Sequence, residues 1–176
     1  MGSTVVPNQK GKDVDLYLIR HADAVPVGER GIQEDVERPL TEHGETQAKT
    51  VAGGLQRRGV ALSVVVTSPL RRARQTAEGI LRAWTPPGPE LLVCDELAPG
   101  SKRRKLARFL RNWGADKVAL VGHQPDLNDF AAWLIGSKKA HIDLAKAGIA
   151  YITCGDGPRK GSGSLLWLVT PEWLGA

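Results

Sequence analysis

Residues 15–21 of the chain, DLYLIRH, form a short apolar run that ends in two basic residues, Arg20 and His21. The run has the length and hydrophobicity of a buried β-strand, so we predict a strand that ends at Arg20-His21. Residues 22–40 follow with several charges, two glycines and two prolines and no periodic pattern, which predicts a long loop. A structureless loop of this length in a compact domain is usually functional.

Strands and helices alternate along the rest of the chain. Apolar residues at helical spacing predict helices over residues 41–58, 68–84, 102–113 and 125–135. Short apolar runs predict strands over residues 62–67, 91–94, 117–121, 149–154 and 165–170. Thr41 and Ser68 are the predicted N-caps of the first two helices. This order predicts an α/β fold in three layers, with a mostly parallel central sheet, helices on both faces and a C-terminal antiparallel hairpin.

The composition is typical of one globular domain. The 176 residues are 41% hydrophobic and 24% charged, and no apolar run approaches the length of a transmembrane helix. The polar N-terminus has no apolar signal region, so we expect a cytoplasmic protein with no membrane partner and a flexible tail over residues 1–13. Cys94 and Cys154 lie far apart in sequence, which argues against a disulfide framework or a zinc site.

The chain carries a formal net charge of +5, which indicates an anionic partner without saying which. Basic residues concentrate in the run Lys102–Lys105, at the start of a predicted helix, where cations oppose the helix dipole. This run is interpreted either as a solvated face or as a contact for an acidic protein surface. It contains no interleaved aromatic residues, so we do not expect a nucleic-acid partner.

Three predicted strands end in polar residues: Arg20-His21, Thr67-Ser68 and Gly122-His123. The carboxyl ends of parallel strands meet at one edge of a sheet, where α/β proteins bind their ligands. Arg71 and Arg72 follow the second of these strands, and guanidinium groups make paired hydrogen bonds to phosphate oxygens. The chain contains no phosphate-binding glycine-rich loop, whereas a neutral histidine among cations is a nucleophile for phosphorus.

Five motifs, in this order, resemble those of the histidine phosphatase superfamily. They are LIRHAD (18–23), RPLTxxG (38–44), TSPLxRAxQT (67–76), EL (96–97) and VGHxP (121–125). The short chain and the RPLT segment resemble the small SixA-type phosphohistidine phosphatases within that superfamily. The resemblance covers nearly the whole chain, so we assign residues 14–176 to a single histidine phosphatase domain with a phosphoglycerate mutase-like fold.

The resemblance implies a role for each motif residue. The nucleophile is His21, the phosphoryl-binding residues are Arg20, Arg72 and His123, the candidate general acid is Glu96, and a further candidate substrate-binding residue is Arg38. No metal or cofactor is implied. The chain departs from the family by carrying Ala22 where glycine is usual, which is expected to crowd the phosphate loop slightly. Glu96 has an alternative structural role, in helix capping or a salt bridge, and Arg38 has one in anchoring the loop.

The predicted function is that of a metal-independent phosphatase with a covalent phosphohistidine intermediate. Its substrate is either a phosphohistidine-bearing protein or a small phosphomonoester. The first is favoured mildly, because the P–N bond is labile and needs less help from an acid. The alternatives are a small-molecule phosphatase or mutase of the phosphoglycerate mutase type and a non-catalytic phosphate-binding adaptor with the same fold.

Overall fold

The computed structural model describes residues 13–175, so the predicted tail over residues 1–13 lies almost entirely outside the described residues. Within them the strands are β1 (Val14–Arg20), β2 (Val64–Thr67), β3 (Glu90–Val93), β4 (Lys117–Gly122), β5 (Ile149–Cys154) and β6 (Gly163–Val169). The helices are α1 (Glu42–Arg57), α2 (Arg71–Leu81), α3 (Arg103–Trp113), α4 (Asp126–Leu134) and α5 (Pro171–Gly175). Two short 3₁₀ turns, Asp35–Glu37 and Asp95–Leu97, lie in loops.

The strands of the described residues form one sheet in the order β3-β2-β4-β1-β5-β6. The first four strands in this order are parallel, whereas β5 pairs antiparallel with both β1 and β6. The predicted C-terminal hairpin is therefore confirmed, as is the mostly parallel α/β sheet. Helices α1, α2 and α5 pack on one face of the sheet, and α3 and α4 pack on the other.

The two faces of β1 show why the layers form. Leu16 and Leu18 point into an apolar core shared with α3 and α4, whereas Tyr17 and Ile19 point into a core shared with α1, α2 and α5. Side chains alternate between the faces of a strand, so a strand that is apolar at consecutive positions can fill both cores. The buried run in DLYLIRH thus requires helices on both sides of the sheet.

The predicted start of α2 is wrong by two residues. Ser68 does not cap the helix, which begins at Arg71 with Leu70 at the N-cap position. The Ser68 hydroxyl instead accepts a hydrogen bond from the Leu70 N–H (3.3 Å) and contacts His123. The Thr41 cap of α1 is confirmed, because its hydroxyl accepts a hydrogen bond from the Gly44 N–H at 3.0 Å. No helix within residues 13–175 is long and apolar enough to span a membrane.

Candidate active site

Three adjacent strands bring the predicted strand-end residues together. In the register of the sheet, Arg20 on β1 pairs with Gly122 on β4. The pattern continues past the strand ends, because the His21 N–H donates to the Gly122 carbonyl and the Ser68 N–H donates to the Val121 carbonyl, each at 2.9 Å. His21, Ser68 and His123 therefore meet at the carboxyl edge of the sheet, as the sequence predicts.

Two histidines and one arginine form the buried centre of this site. The ring centroids of His21 and His123 are 5.1 Å apart. The exposed fractions of His21, Arg72 and His123 are only 8%, 5% and 3%. Arg71, the neighbouring basic residue, is exposed. The structure thus brings Arg72 to the histidines and leaves Arg71 at the surface, although the two residues are adjacent in sequence.

The hydrogen bonds of His21 define which ring nitrogen carries its proton. Nδ1 lies 2.7 Å from the carbonyl oxygen of Ala22, which can only accept, so Nδ1 carries the hydrogen. Nε2 lies 3.1 Å from Nε of Arg72, which can only donate, so Nε2 presents its lone pair. His21 is therefore held as a neutral imidazole whose Nε2 is the basic atom.

His123 is oriented by Ser68. Its Nε2 lies 2.8 Å from the Ser68 hydroxyl, which already accepts from the Leu70 N–H and so has its own hydrogen free to donate. The tautomer in which this hydroxyl donates to Nε2 of His123 has its ring proton on Nδ1. The sequence predicts Ser68 as a helix cap, but its position directly after β2 is the signal that it faces the site.

Burial keeps both histidines neutral. The pKa of His21 is lowered to about 4, first by loss of hydration and then by the positive charges of Arg72, Arg20 and Arg38, against the opposing hydrogen bond to Ala22. Loss of hydration also lowers the pKa of His123 to about 3, with contributions from its cationic neighbours. At neutral pH the site therefore holds two uncharged imidazoles among guanidinium groups.

Two buried nitrogen atoms near these rings have no hydrogen-bond partner within residues 13–175: Nε of Arg20 and Nδ1 of His123. Arg20 is anchored by its Nη1, which donates to the Leu144 carbonyl at 2.9 Å. Buried N–H groups in proteins are nearly always satisfied, and a missing partner carries an energetic cost. The two orphaned donors therefore mark a place for an acceptor-rich ligand such as a phosphoryl group.

Asp35 is the functional residue that the sequence analysis did not single out. Its carboxylate accepts from Nη2 of Arg72 at 2.9 Å, and its backbone carbonyl accepts from Nη1 at 2.7 Å. Burial would raise the pKa of Asp35, but hydrogen bonds from Arg38 and Arg72 hold it below its usual value, so the group is ionised. A carboxylate in a loop between several arginines was the only signal in the sequence.

Arg38 occupies a loop-anchoring position in the structure. Its Nε donates to the Val25 carbonyl at 2.7 Å, Nη2 to the Ala24 carbonyl at 3.3 Å, and Nη1 to the Asp35 carboxylate at 3.0 Å. All three nitrogens thus bind the loop over residues 22–40. The structure thus shows the loop-anchoring contacts of Arg38, and the substrate contact that the resemblance implies stays a prediction. The positive charge of Arg38 also lowers the pKa of His21.

Glu96 lies in the 3₁₀ turn after β3 and lines a small cavity together with His123, Ser101 and Arg103. One of its carboxylate oxygens accepts from the Cys94 thiol at 3.3 Å. The structure therefore places the candidate acid on a cavity that His123 also lines, and Glu96 makes no ion pair within residues 13–175.

Ala22, the departure from the usual glycine, is fully buried. It lies in the apolar core on the α1 and α2 side of the sheet. Its N–H donates to the Thr76 hydroxyl at 3.0 Å. The methyl group is therefore part of this core, and the slight crowding of the phosphate loop stays a prediction.

The chemistry of the site is that of anion binding next to a nitrogen nucleophile. Within residues 13–175, no group of three or more His, Cys, Asp or Glu side chains is arranged to hold a metal ion. The groups that converge are two neutral imidazoles and two guanidinium groups, with the carboxyl group of Glu96 on a cavity next to His123. Such a set can bind a phosphoryl group and transfer it to a ring nitrogen.

Comparisons with known proteins agree with this geometry. Residues 16–98 match the histidine phosphatase superfamily (branch 1). An uncharacterised protein of Picosynechococcus sp. is 39% identical over 167 residues, which cover 92% of this chain and 99% of that protein. Phosphohistidine phosphatase SixA of Escherichia coli K12 is 26% identical over 163 residues, which cover 90% of this chain and 94% of that protein.

A solved structure extends the likeness to the fold. The protein histidine phosphatase SixA complexed with tungstate superposes with a TM-score of 0.79 at 26% identity, over 92% of this chain and 99% of that chain. The residues matched by the family include β1, α2 and the turn that carries Glu96, and thus most of the site described above. Motifs, relatives and fold lead to the same conclusion, and the chain belongs to the histidine phosphatase superfamily.

Proposed function

We propose that this protein is a phosphatase that hydrolyses phosphohistidine or small phosphomonoesters through a covalent phosphohistidine intermediate on Nε2 of His21. The observation that carries the proposal is the pair of hydrogen bonds on His21, from Nδ1 to Ala22 and from Arg72 to Nε2. Together they fix the neutral tautomer and aim its lone pair into the cluster of cations. A histidine with this tautomer is a ready nucleophile at neutral pH.

The first chemical step forms a bond between Nε2 of His21 and phosphorus. The bond from phosphorus to the leaving atom breaks, and its electron pair stays on the leaving atom. Arg20, Arg72 and His123 donate to the phosphoryl oxygens as charge redistributes in the transition state, which supplies most of the catalysis in phosphoryl transfer. The orphaned Nε of Arg20 and Nδ1 of His123 are the donors available for this purpose.

The leaving group decides whether an acid is needed. An alkoxide leaving group takes a proton, for which Glu96 is the candidate donor because it lines a cavity with His123. The imidazole of a phosphohistidine whose other nitrogen is protonated leaves as a neutral ring and needs no acid. The site thus needs no acid to cleave the P–N bond of such a substrate, whereas it needs one to cleave the P–O bond of an alkyl ester.

The second step returns His21 to its starting state. Water attacks phosphorus, the N–P bond breaks, and its electron pair goes back to Nε2. Because Nδ1 keeps its hydrogen and donates it to the Ala22 carbonyl, the phosphorylated ring is cationic and leaves readily. The proton released by water passes to the solvent or to the carboxylate of Glu96, which completes the cycle.

The proposal is tested by trapping the intermediate. Rapid acid-free quenching with a ³²P-labelled substrate is expected to give one labelled phosphohistidine, stable in alkali and lost in acid, at His21. The His21→Asn variant is expected to lose at least about a thousandfold in kcat on p-nitrophenyl phosphate while keeping its circular dichroism spectrum. A variant that kept its activity, or label that resisted acid, would exclude His21 as the nucleophile. A protein that binds phosphate but takes up no label is the adaptor alternative.

A panel of substrates separates the two substrate classes. We expect a higher kcat/KM for a phosphohistidine peptide than for a phosphoserine peptide or a sugar phosphate, because only the first dispenses with the acid. The Glu96→Gln variant is expected to lose activity on esters and to retain it on phosphohistidine. An equal loss of activity on both substrate classes would show that Glu96 is not the acid.

A further inference from the structure

The first turn of α3 begins with four consecutive cations that the proposed chemistry does not use. Lys102, the N-cap, and the next three residues through Lys105 are all exposed. The turn contains no acidic residue, and the N-cap side chain makes no capping hydrogen bond. We call residues 102–105 the basic turn. Cations at a helix N-terminus oppose the helix dipole, so helix stability does not explain this sequence.

The cations of the basic turn have no ionic partner within residues 13–175. The ion pairs of that part of the chain join Arg38 and Arg72 to Asp35 and Lys146 to Asp23.

Two carboxylates, Asp126 and Asp129, line the same surface cleft as the basic turn. Asp126 accepts a hydrogen bond from the Gly100 N–H at 2.9 Å, and neither carboxylate lies within ion-pair distance of a cation in the part of the chain that the structure describes. The four cations outnumber these two acids, so the cleft keeps a positive charge that is not neutralised internally.

The basic turn lies beside the candidate active site. Arg103 and Ser101, at the start of α3, line the same small cavity as Glu96 and His123. Arg103 shares its helix face with Leu106 and Leu110, which are buried, so its side chain is directed toward the site while its neighbours point outward. When the phosphoryl group of a substrate reaches His21, the part of the substrate around that group therefore contacts the basic turn.

The arrangement of the four cations indicates the size of their partner. Successive residues of a helix are rotated by about 100° around its axis, so four consecutive side chains fan out and do not converge on one small anion. An extended surface with several carboxylates can contact them together. We propose that the basic turn docks an acidic protein surface that carries the phosphorylated side chain, an inference that rests on the proposed function and narrows its substrate to a phosphoprotein.

Two synthetic phosphohistidine peptides of equal length test this proposal, one flanked by glutamates and the other by serines. The wild-type protein is expected to show about tenfold higher kcat/KM for the glutamate-flanked peptide, with the preference reduced at high salt. The double variant Arg104→Glu/Lys105→Glu is expected to lose the preference through KM. The reference reaction is hydrolysis of p-nitrophenyl phosphate, because this substrate is too small to reach the two outward-pointing residues. Its rate is expected to change by less than about twofold.

The matched control is Lys138→Glu/Lys139→Glu, which changes the same charge on exposed residues. These lysines follow α4. The end of α4 lies near the β5–β6 turn, because the Gly161 N–H donates a hydrogen bond to the Trp133 carbonyl. This turn is at the edge of the sheet that is remote from the site. We expect this control to keep the preference for glutamates. Equal loss in the control, no preference in the wild-type protein, or equal loss on p-nitrophenyl phosphate would each overturn the docking role.

Binding is measured separately from turnover. Fluorescence anisotropy with the same two peptides, each carrying a non-hydrolysable phosphonate analogue of phosphohistidine, is expected to show the same dependence on the basic turn. If the anisotropy preference holds and neither a phosphohistidine peptide nor p-nitrophenyl phosphate is hydrolysed, the proposed function fails and the docking surface stands. If the peptides are hydrolysed without any preference for glutamates, the docking surface fails and the proposed function stands.

Discussion

Both terminal nitrogens of Arg72 donate hydrogen bonds to Asp35, while its Nε contacts His21, the candidate nucleophile. Nη1 lies 2.7 Å from the Asp35 carbonyl oxygen, and Nη2 lies 2.9 Å from the carboxylate. Asp35, in the loop over residues 22–40, thus places its negative charge next to the guanidinium group that is proposed to bind the phosphoryl group. A phosphoryl group and the Asp35 carboxylate therefore compete for the same donors.

Asp35→Asn is predicted to strengthen the binding of inorganic phosphate or vanadate. The substitution keeps an acceptor oxygen for Arg72 but removes the competing charge, and since Asp35 is half exposed we expect about a fivefold lower Kd. Titration calorimetry with phosphate measures the change. The neighbouring exposed Glu34→Gln removes the same charge without touching Arg72 and is expected to leave the Kd unchanged. Weaker phosphate binding in Asp35→Asn would mean that Asp35 positions Arg72 rather than competing with the ligand.

Arg72→Ala and Arg71→Ala form a matched pair of adjacent substitutions. Arg72 is buried against His21, so its removal is predicted to weaken vanadate binding by about 1.5–3 kcal/mol, or about tenfold to a hundredfold. Arg71 is exposed and only approaches the Glu37 carbonyl at 3.4 Å, so its removal is expected to leave vanadate inhibition near the wild-type value. Inhibition constants for vanadate provide the comparison. Similar losses in both variants would point to a general effect of positive charge.

The fold and the centre of the site were predictable because they depend on local patterns. The alternation of strands and helices predicted the layers, and the polar residues at three strand ends predicted the meeting of His21 and His123. Parallel strands have their carboxyl ends at a common edge, so residues distant in sequence become neighbours by topology alone. The motif predicted that Arg72 rather than Arg71 lies in the site. The structure shows the physical reason, because Arg72 is buried and Arg71 is exposed.

The remaining features depend on tertiary contacts that no sequence period encodes. Asp35 reaches Arg72 because the loop over residues 22–40 folds back over the sheet edge, and the chain offers no spacing that marks one loop carboxylate among several. Ser68 has the composition and position of a helix cap, but its contact with His123 replaces that function. At Ser68, local propensity was overridden by the polar groups of the site.

Acidification is predicted to destabilise the folded protein through its two buried histidines. The pKa of His21 is lowered by burial from 6.5 to about 4, so between these values the unfolded chain binds more protons than the folded protein. The free energy of unfolding therefore falls as the pH decreases from about 6.5 toward 4, by about 3 kcal/mol for this group. His123, with a pKa lowered to about 3, acts in the same direction.

Urea unfolding between pH 7 and pH 4.5 measures this dependence. The variant His21→Asn removes one of the two titrating groups and is expected to show a shallower loss of stability than the wild-type protein over this range. The exposed His43→Asn serves as the control and is expected to follow the wild-type curve. Parallel curves for all three proteins would show that His21 is not held neutral by the fold.

Gly44 and Gly53, both in α1, are predicted to respond in opposite ways to substitution by alanine. A Cβ atom at Gly44 would lie 2.0 Å from the carbonyl oxygen of Asp23, whereas the nearest atom to a Cβ at Gly53 is the mobile end of Arg57 at 3.3 Å. Gly44→Ala is therefore expected to destabilise the protein by about 1–3 kcal/mol or more, since backbone must move. Gly53→Ala is expected to leave stability unchanged or raise it by up to about 1 kcal/mol, because alanine favours the helix.

Thermal unfolding and turnover of p-nitrophenyl phosphate distinguish the two variants. The displaced Asp23 carbonyl lies two residues after His21, so Gly44→Ala is expected to lower kcat as well as Tm, whereas Gly53→Ala keeps both. A lower Tm with unchanged kcat in Gly44→Ala would mean that the loop after β1 moves without displacing His21. An unchanged Tm would show that the close approach of α1 to Asp23, which explains the glycine in the RPLTxxG motif, is not required by the fold.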